Sequence, residues 1–318
     1  MQLFKNENGE LLPIERDAFK LEKDIQSLVE ANMDTIFGLE FVSSEFSITE
    51  FRLDSLAYDE QNNSFVIIEY KKGSSYSVVD QGYSYLSTML NNKADFILEY
   101  NEKTGKTLRR DDIDWSSSRV IFVSPSFNSY QKNSVNFRDV PFELWEIRKF
   151  EDGVVALEQH ASSSKESIES VSSGTSSSVI KKVSGEVKVS SEEQLVAHMN
   201  ASMQSVWTAF REQLLDLSGT STHTTQNYLA IKFDGNALLY VRFRKNEISC
   251  ELPRGNTYPD GTRRGRFFEI DDPKNVSKIR TWNWKSGVSG SVYNFSLSKT
   301  EEIDYRMFLV KQRYELVN

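Results

Sequence analysis

The chain has 318 residues, with 38 basic and 46 acidic side chains, so its net charge near neutral pH is −8. At roughly 100–200 residues per domain, that length predicts two domains. A single cysteine excludes a disulfide framework and a thiolate metal site, and three scattered histidines argue against a zinc enzyme. Because no apolar run approaches the roughly 20 residues that cross a bilayer, and no signal-peptide core is seen, we expect a cytoplasmic protein without a membrane partner. The cysteine is Cys250, and the three histidines are His160, His198 and His223.

The charge is unevenly distributed along the chain. Residues 1–160 carry 17 basic and 28 acidic side chains, whereas residues 161–318 carry 21 and 18. Residues 161–190 contain 12 serines and no aromatic residue, and such a composition buries too little surface to offset the cost of ordering it. We predict an N-terminal domain over 1–160, a flexible linker over 161–190 and a second domain over 191–318. An exposed hairpin at the valine-rich end of the linker is the alternative.

The N-terminal domain is predicted to be α/β, with helices between the strands of one sheet. Its first helix covers about residues 17–33, where apolar side chains recur at helical spacing. Two strands follow, separated by the polar turn 59–64. The predicted strands are 51–58, 65–70, 95–100, 119–123 and 142–147, with a helix over about 75–92.

The C-terminal domain is predicted to be α+β, an antiparallel sheet covered on one face by two helices. Apolar residues from Leu195 to Leu214 form one helical stripe, preceded by a capping box of Ser190 with Glu193. A closing helix is predicted over about residues 301–316. The predicted strands are 228–233, 238–244, 248–252, 266–270 and 292–297.

Acidic and basic residues converge on the first predicted hairpin. A turn centred between Gln61 and Asn62 would place Asp54 opposite Glu69. Lys71 would share a face with Glu69, because side chains two apart on a strand point the same way. Two carboxylates facing each other in apolar surroundings are unfavourable unless a cation lies between them. Oxygen ligands without histidine or cysteine select Mg²⁺ or Mn²⁺.

The chemistry of such a site follows from the ion. A mostly hydrated Mg²⁺ could polarise a phosphoryl oxygen and lower the pKa of a bound water. Lys71 beside it could hold that water or stabilise the charge that builds on the phosphate. The reaction implied is hydrolysis of a phosphodiester.

These residues resemble a known family. Asp54, fourteen intervening residues and then Glu69-Tyr70-Lys71 resemble the D…E-x-K core of the restriction-endonuclease-like (PD-(D/E)XK) nuclease superfamily. The predicted element order is similar to its αβββαβ fold. The stretch FRLDSLAYDEQNNSFVIIEYKKG is most similar to mismatch-specific and related stand-alone endonucleases, whose pattern reads G-R-I-D-x-x-A-x-D before V-I-E-x-K. The resemblance covers about residues 17–150.

The resemblance implies roles for further residues. Gln81 and Tyr85 match the Q-x-x-x-Y motif of RecB-type members, on the helix after the E-x-K strand. Glu22 lies where many members carry an acidic residue that assists the metal. The alternatives are a surface helix charge for Glu22, a helix-face amide for Gln81 and a core position for Tyr85. The implied metal ligands are Asp54, Glu69 and the backbone carbonyl of Tyr70.

The sequence also departs from this family. Phe51 replaces the usual glycine, Leu53 stands where a proline precedes the aspartate, and the family's DNA-binding N-terminal domain has no counterpart. The catalytic set is intact, but substrate preference stays open. Residues 195–318 resemble an uncharacterised domain that follows such nucleases, which implies no activity.

The C-terminal domain offers the positive charge that an acidic nuclease domain needs to approach a polyanion. Residues 241–285 hold 11 basic and 6 acidic side chains, and two tryptophans add surface for stacking on bases. The alternative is a solvated sheet face with both tryptophans in the core. The candidate nucleic-acid-binding residues are Arg242, Arg244, Lys245, Arg263, Arg264, Arg266, Trp282 and Trp284.

We therefore expect a metal-dependent endonuclease, with Mg²⁺ or Mn²⁺ as cofactor and DNA as preferred partner, acting in defence or repair. RNA stays open as a substrate. One alternative is a catalytically silent nucleic-acid-binding or regulatory module that retains the nuclease fold. Another is that the C-terminal domain recognises a protein and the nuclease acts inside a complex. Double-strand cleavage would favour a two-fold homodimer, because one active site cuts one strand.

Overall fold

The computed structural model describes residues 2–72, 77–137, 140–160, 176–187, 189–225, 227–233, 236–263 and 267–318. The chain divides into two compact units. The first comprises Met1–Tyr58, Phe65–Glu99 and Ser118–Val183, and the second comprises Asp59–Ser64, Tyr100–Ser117 and Ser184–Asn318. This division differs from the predicted boundary near residue 160, because two segments of the N-terminal half belong to the second unit. Within that unit, for example, Arg242 donates to the carbonyl of Gln61 at 3.3 Å and to Asn62 Oδ1 at 3.1 Å.

A mixed sheet of seven strands is the framework of the N-terminal region. Its strands are β3 (Arg16–Asp17), β4 (Glu40–Ile48), β5 (Phe51–Asp59), β6 (Ser64–Tyr70), β7 (Arg119–Ser124), β8 (Phe142–Phe150) and β9 (Val155–His160), preceded by a separate hairpin of β1 (Leu3–Glu7) and β2 (Glu10–Ile14). The spatial order is β3-β8-β7-β6-β5-β4, with β9 pairing β8. The strands β6, β7 and β8 are parallel, and β4 with β5 is antiparallel.

The helices of the region are α1 (Glu22–Ala31), α2 (Met33–Phe37), α3 (Val78–Asn91), α4 (Lys93–Thr104), α5 (Ser129–Ser134) and α6 (Ser176–Glu186). The apolar residues of α1 recur at helical spacing, so Ile25 and Val29 share one buried cluster with Val66, Ile68 and Tyr70 of β6. Helix α1 therefore covers the sheet face that carries Tyr70.

Helix α3 approaches β8 closely. A Cβ atom on Gly82 would lie 2.5 Å from the ring of Phe142, so the position requires glycine. Ser77 caps the helix by accepting a hydrogen bond from the backbone N–H of Asp80 at 3.3 Å. The elements α1, β4, β5, β6, α3 and β7 follow one another in the order αβββαβ, with α2 and α4 as additions.

Two predictions for this region are wrong. The segment 95–100, predicted as a strand, is part of α4, and Phe96 and Tyr100 are both buried because residues four apart share one helix face. Strand β4 was not predicted. Its pairing with β5 shifts register between Phe41 and Ser43, which breaks the alternation of buried and exposed side chains that identifies a strand.

The predicted linker, 161–190, is only partly described. Residues 161–175 and 188 lie outside the described residues. Residues 176–186 form α6 instead of a flexible segment, because Ile180 and Val183 are three apart and buried together on one face.

The C-terminal region contains a six-stranded antiparallel sheet in the order β10-β11-β12-β13-β15-β14. Its strands are β10 (Thr220–Thr224), β11 (Leu229–Phe233), β12 (Asn236–Arg244), β13 (Glu247–Thr257), β14 (Lys278–Asn283) and β15 (Ser289–Leu297), and its helices are α7 (Glu192–Val196), α8 (Ala201–Leu215) and α9 (Ile303–Val317). Apolar residues of the three helices and of β11, β12, β13 and β15 form one core, in which burial raises the pKa of the Cys250 thiol.

The predicted elements of this region agree with the structure except in detail. The helical stripe is buried throughout but divided between α7 and α8, since Asn200 caps a new helix. The α7 cap is Ser191 with Gln194, one residue later than predicted. Residues 267–270 are not a strand, and β14 was missed. Among the described residues, no helix has both the length and the apolar character that crossing a bilayer requires.

Candidate active site

Three predicted residues lie together where β5 and β6 run side by side. Glu69 is buried on β6, the central strand between β5 and β7. The Nζ atom of Lys71 donates to Glu69 Oε1 at 2.7 Å. Asp54 of β5 is fixed to the same strand, because its Oδ2 atom accepts the backbone N–H of Tyr70 at 3.0 Å. The neighbouring strands thus bring two carboxylates and one ammonium group into a single cluster.

Helix α3 contributes an amide and a phenol to this cluster. Gln81 Nε2 lies 2.8 Å from Glu69 Oε1 and 2.7 Å from the hydroxyl of Tyr85, one helical turn away. Tyr85 is buried, and its ring packs edge-to-face against Phe51 with centroids 5.9 Å apart. The phenylalanine that departs from the family pattern therefore supports a residue of the Q-x-x-x-Y motif.

The cluster has more negative than positive charge. Burial, and then the charge of Glu69, raise the pKa of Asp54 from 3.8 to about 7. Burial and the same glutamate raise the pKa of Tyr85 well above its ordinary value, so the phenol stays protonated and serves as a neutral hydrogen-bonding group. One lysine does not offset two carboxylates in a poorly solvated place.

Two buried oxygens at the cluster have no hydrogen-bond partner among the described residues. They are Glu69 Oε2 and Gln81 Oε1. Oxygen donors beside surplus negative charge fit a hard divalent cation, and Mg²⁺ is commonly bound through one or two carboxylates with water completing its shell. Within the part of the chain that the structure describes, no group of three or more His, Cys, Asp or Glu side chains could hold a metal. The side chains that fit such a cation are therefore Asp54 and Glu69 as a pair.

Glu22 does not join that pair. Its Oε2 atom accepts the backbone N–H of Lys72 at 2.8 Å, directly after the E-x-K strand. The side chain of Lys72 bonds the carbonyl of Lys20 and not the carboxylate cluster. Glu22 thus fixes the chain leaving β6, because its carboxylate is occupied by a backbone donor. A role for the carbonyl of Tyr70 as a metal ligand stays a prediction.

The predicted nucleic-acid-binding residues differ in how accessible they are. Arg242 pairs with Glu251 at 2.8 Å, Arg244 with Glu247 at 3.0 Å, and Arg263 with Glu269 at 2.5 Å. Lys245 is exposed. Trp282 is half-buried, but Trp284 is buried and does not fit the predicted stacking role, since its ring offers no surface to a base. Arg264 and Arg266 lie outside the described residues.

Comparison with known proteins identifies one long relative. No protein-family model matches the chain. An uncharacterised protein of Haemophilus influenzae is 39% identical over 319 residues, which cover 98% of this chain and 99% of the relative. The chain belongs to the family of that protein. The match includes both units, so the two regions occur together in the family.

Two solved structures match part of the chain. A repair endonuclease from Pyrococcus abyssi matches 37% of this chain and 43% of its own, with 20% identity and a TM-score of 0.21. A complex of EndoMS with double-stranded DNA matches 41% of this chain and 47% of the matched chain, with 17% identity and a TM-score of 0.23. This chain spans less than half the length of each.

One residue near the cluster was not predicted. Gln26 of α1 is buried, and its Nε2 atom donates to the carbonyl of Asp54 at 2.9 Å. The signal in the sequence is weak. Gln26 shares its helix face with the charged residues Lys23 and Glu30, which suggests a solvent-facing position, and only the tertiary structure shows that the amide is buried against polar partners.

Proposed function

We propose that the chain is a metal-dependent endonuclease that hydrolyses phosphodiester bonds, with DNA as the preferred substrate and defence or repair as its setting. The observation that carries the proposal is the carboxylate cluster at the ends of β5 and β6. It holds two carboxylates, Lys71 and buried oxygens that have no hydrogen-bond partner among the residues that the structure describes. Such surplus negative charge is costly unless a cation is bound, and Asp54 and Lys71 are only partly buried.

The roles of the residues follow from their contacts. A bound Mg²⁺ or Mn²⁺ would supply Lewis-acid stabilisation of the phosphate and a more acidic water. Asp54 and Glu69 would hold the ion. Gln81 and Lys71 both donate to Glu69 Oε1, which fixes the carboxylate and leaves Oε2 for another partner. Lys71, partly exposed beside the carboxylates, is suited to stabilise charge on the phosphate.

The resemblance of Asp54…Glu69-Tyr70-Lys71 to the PD-(D/E)XK nucleases supports the same reaction class and favours DNA over RNA. A helix N-terminal to the core, three strands, a helix and a parallel strand follow in the order that this family has. We propose nucleic acid as the partner, with Arg244, Lys245, Arg263 and Trp282 as the accessible candidates in the C-terminal region. Assembly as a homodimer or in a nuclease complex remains part of the proposal.

A cleavage assay tests the proposal directly. Purified full-length protein is incubated with single-stranded, duplex, mismatched and branched DNA, and with RNA, in Mg²⁺, in Mn²⁺ and in chelator. We expect metal-dependent cleavage of at least one DNA, and its loss in Glu69→Gln. Glu143→Gln is the matched control, since Glu143 is a poorly exposed glutamate of the same sheet that pairs with Arg119 at 3.1 Å, outside the cluster.

The outcomes separate the hypotheses. Cleavage by wild type and Glu143→Gln but not by Glu69→Gln supports the proposal. Equal cleavage by Glu69→Gln would show that a contaminant or another site is responsible. No cleavage of any substrate, with no calorimetric signal for millimolar Mg²⁺ or Mn²⁺, would favour the silent nucleic-acid-binding or regulatory module.

A further inference from the structure

The β-ladder is interrupted at the proposed metal ligand Asp54. On β4 and β5, Ser44 lies opposite Ser55 and Phe46 opposite Leu53, so the register places Glu45 opposite Asp54, but the ladder does not pair these two residues. The residue of β4 at this point, Glu45, has φ = 56°, a left-handed conformation that non-glycine residues rarely adopt. Strained backbone of this kind persists where surrounding contacts over-determine it, and it clusters at functional sites.

Gln26 contacts the backbone at this unpaired position. Its Nε2 atom donates to the carbonyl of Asp54 at 2.9 Å, at the position where the ladder does not pair β5 with β4. The same amide lies 3.0 Å from Ser44 Oγ and 2.9 Å from Glu30 Oε1. Its Oε1 atom accepts from Lys23 Nζ at 3.1 Å. Every polar atom of this buried side chain is therefore engaged.

The hydrogen-bond network behind Asp54 reaches the neighbouring catalytic strand. The hydroxyl of Ser55 donates to Glu30 Oε1 at 2.6 Å and lies 3.1 Å from the hydroxyl of Tyr70. Ser55 and Tyr70 are fully buried. Each is adjacent in sequence to a carboxylate of the cluster, Asp54 or Glu69. A polar network in an otherwise apolar helix–sheet interface costs stability unless fully satisfied, so its location behind both carboxylates indicates a positioning role.

We propose that Gln26 is a positioning residue for the metal site: its amide binds the Asp54 carbonyl where β4 and β5 do not pair, and it holds the Asp54 backbone so that the carboxylate meets Glu69. The inference rests on the proposed nuclease function. Gln26 acts on the reacting groups only through Asp54. Side chains that orient metal ligands in this way typically contribute about 10- to 100-fold in metal affinity or activity.

The test compares Gln26→Met with Val29→Ala. Gln26→Met keeps the length of the side chain but removes the donor. Val29→Ala weakens the same helix from the buried apolar side and leaves the hydrogen bond to Asp54 in place. Thermal unfolding gives the loss of stability in each full-length variant. Cleavage is measured with DNA and Mg²⁺ both varied, well below the unfolding temperature.

We expect Gln26→Met to lower kcat, or to raise the half-saturating Mg²⁺ concentration, by about 10- to 100-fold, with the KM for DNA within about twofold. Val29→Ala should lose comparable stability with unchanged kinetics. Unchanged kinetics in Gln26→Met, or an equal effect of Val29→Ala, would overturn the proposal. Should Gln26→Met not fold, Gln26→Glu keeps the shape at pH 8 without the donor and is subject to the same criteria.

A second readout does not depend on activity. The backbone amide of Tyr70 donates to Asp54 Oδ2, so its NMR shift and hydrogen-exchange rate in metal-free protein report the position of that carboxylate. We expect a shifted, faster-exchanging Tyr70 amide in Gln26→Met and a wild-type one in Val29→Ala. A wild-type amide in Gln26→Met would contradict the proposal. If wild type cuts nothing, the proposed function fails, and this readout still decides whether Gln26 holds Asp54.

Discussion

Glu69 and Glu251 can be compared directly, because each is a buried glutamate of a sheet and each contacts basic side chains. In the second unit, Glu251 Oε2 accepts from Arg242 at 2.8 Å and Gln61 at 3.2 Å, and Oε1 lies 3.1 Å from Arg280. Both of its oxygens are engaged, and two guanidinium groups face one carboxylate. In the first unit, one lysine faces two carboxylates, and Glu69 Oε2 has no partner among the described residues.

The difference separates a structural ion pair from the proposed metal site. A buried carboxylate whose two oxygens both contact arginine side chains has its negative charge offset within the protein and needs no further cation. A buried carboxylate with a spare oxygen and a like-charged neighbour is incomplete, and Asp54, with its pKa raised to about 7, shows the cost. The following experiments test this difference.

The largest expected effect is on catalysis, from removing the single cation of the first cluster. Lys71→Met should lower kcat by about 10²- to 10³-fold, because a charge aimed at the phosphate is lost. It should not raise the half-saturating Mg²⁺ concentration, since removing a positive charge leaves the carboxylates more attractive to a cation. Arg280→Met makes the equivalent change beside Glu251 and should leave kcat within about threefold. Steady-state cleavage at varied Mg²⁺ measures both quantities, and a parallel loss in the two variants would abolish the distinction.

The second effect is on the free energy of unfolding and concerns the cluster around Glu251. Glu251→Ala should lower the free energy of unfolding by about 2–3 kcal/mol, since it leaves two arginine side chains without their shared carboxylate. Glu247→Ala, which removes the exposed partner of Arg244, should cost at most about 1 kcal/mol. Urea unfolding of the full-length chain gives both values. A loss as small for Glu251 as for Glu247 would mean that the second cluster is not a structural ion pair.

The third effect concerns pH and the metal-free protein. The folded-state pKa of Asp54, about 7, exceeds its ordinary value of 3.8. The folded state therefore binds this proton more tightly, and the stabilisation is complete below about pH 3.8 and lost as the pH rises through 7. In chelator at pH 8, Asp54→Asn should be more stable than wild type by about 1–2 kcal/mol, less than the full shift implies because the group is partly solvated.

Added Mg²⁺ should reverse that order. The ion binds the deprotonated carboxylate, so it should raise the melting temperature of wild type more at pH 8 than at pH 5. It should have little effect on Asp54→Asn at either pH. A wild-type protein whose stability relative to Asp54→Asn is independent of pH between 4 and 8 would contradict the raised pKa.

The sequence was sufficient for those parts of the fold and site that depend on local pattern. Strands β5 and β6 carry β-branched and aromatic runs on either side of a polar turn, so the proximity of Asp54, Glu69 and Lys71 could be expected from alternation alone. The segment 95–100 was misassigned because Phe96, Ile97 and Leu98 form a short apolar run that fits a strand or a helix. Only packing of Phe96 and Tyr100 on one face decides for the helix.

The sequence could not predict which side chains pair with one another. Arg242, Arg244 and Arg263 look alike as basic residues near tryptophans, yet each pairs with a glutamate that sequence distance does not reveal. Gln26 was missed for the same reason, since its acceptor is a backbone carbonyl 28 residues away. Spacing predicts which face a side chain occupies, but the hydrogen bonds that it makes there depend on tertiary structure.

The smallest expected effect tests whether the exposed basic residues of β12 and its turn contact nucleic acid. Arg244 and Lys245 are exposed, whereas Arg242 is held by Glu251 and Asn62. If the exposed pair neutralises phosphates, Arg244→Ala with Lys245→Ala should weaken DNA binding by less than about tenfold and reduce the slope of log affinity against log salt by about 2. Arg242→Ala should leave that slope unchanged while lowering stability, because its guanidinium is held by the buried carboxylate of Glu251, whereas the Arg244–Glu247 pair is exposed and can exchange for a phosphate. Fluorescence anisotropy from about 50 to 200 mM salt measures the slopes. An unchanged slope in the double variant would remove this strand from the binding surface and favour a protein partner for the C-terminal region.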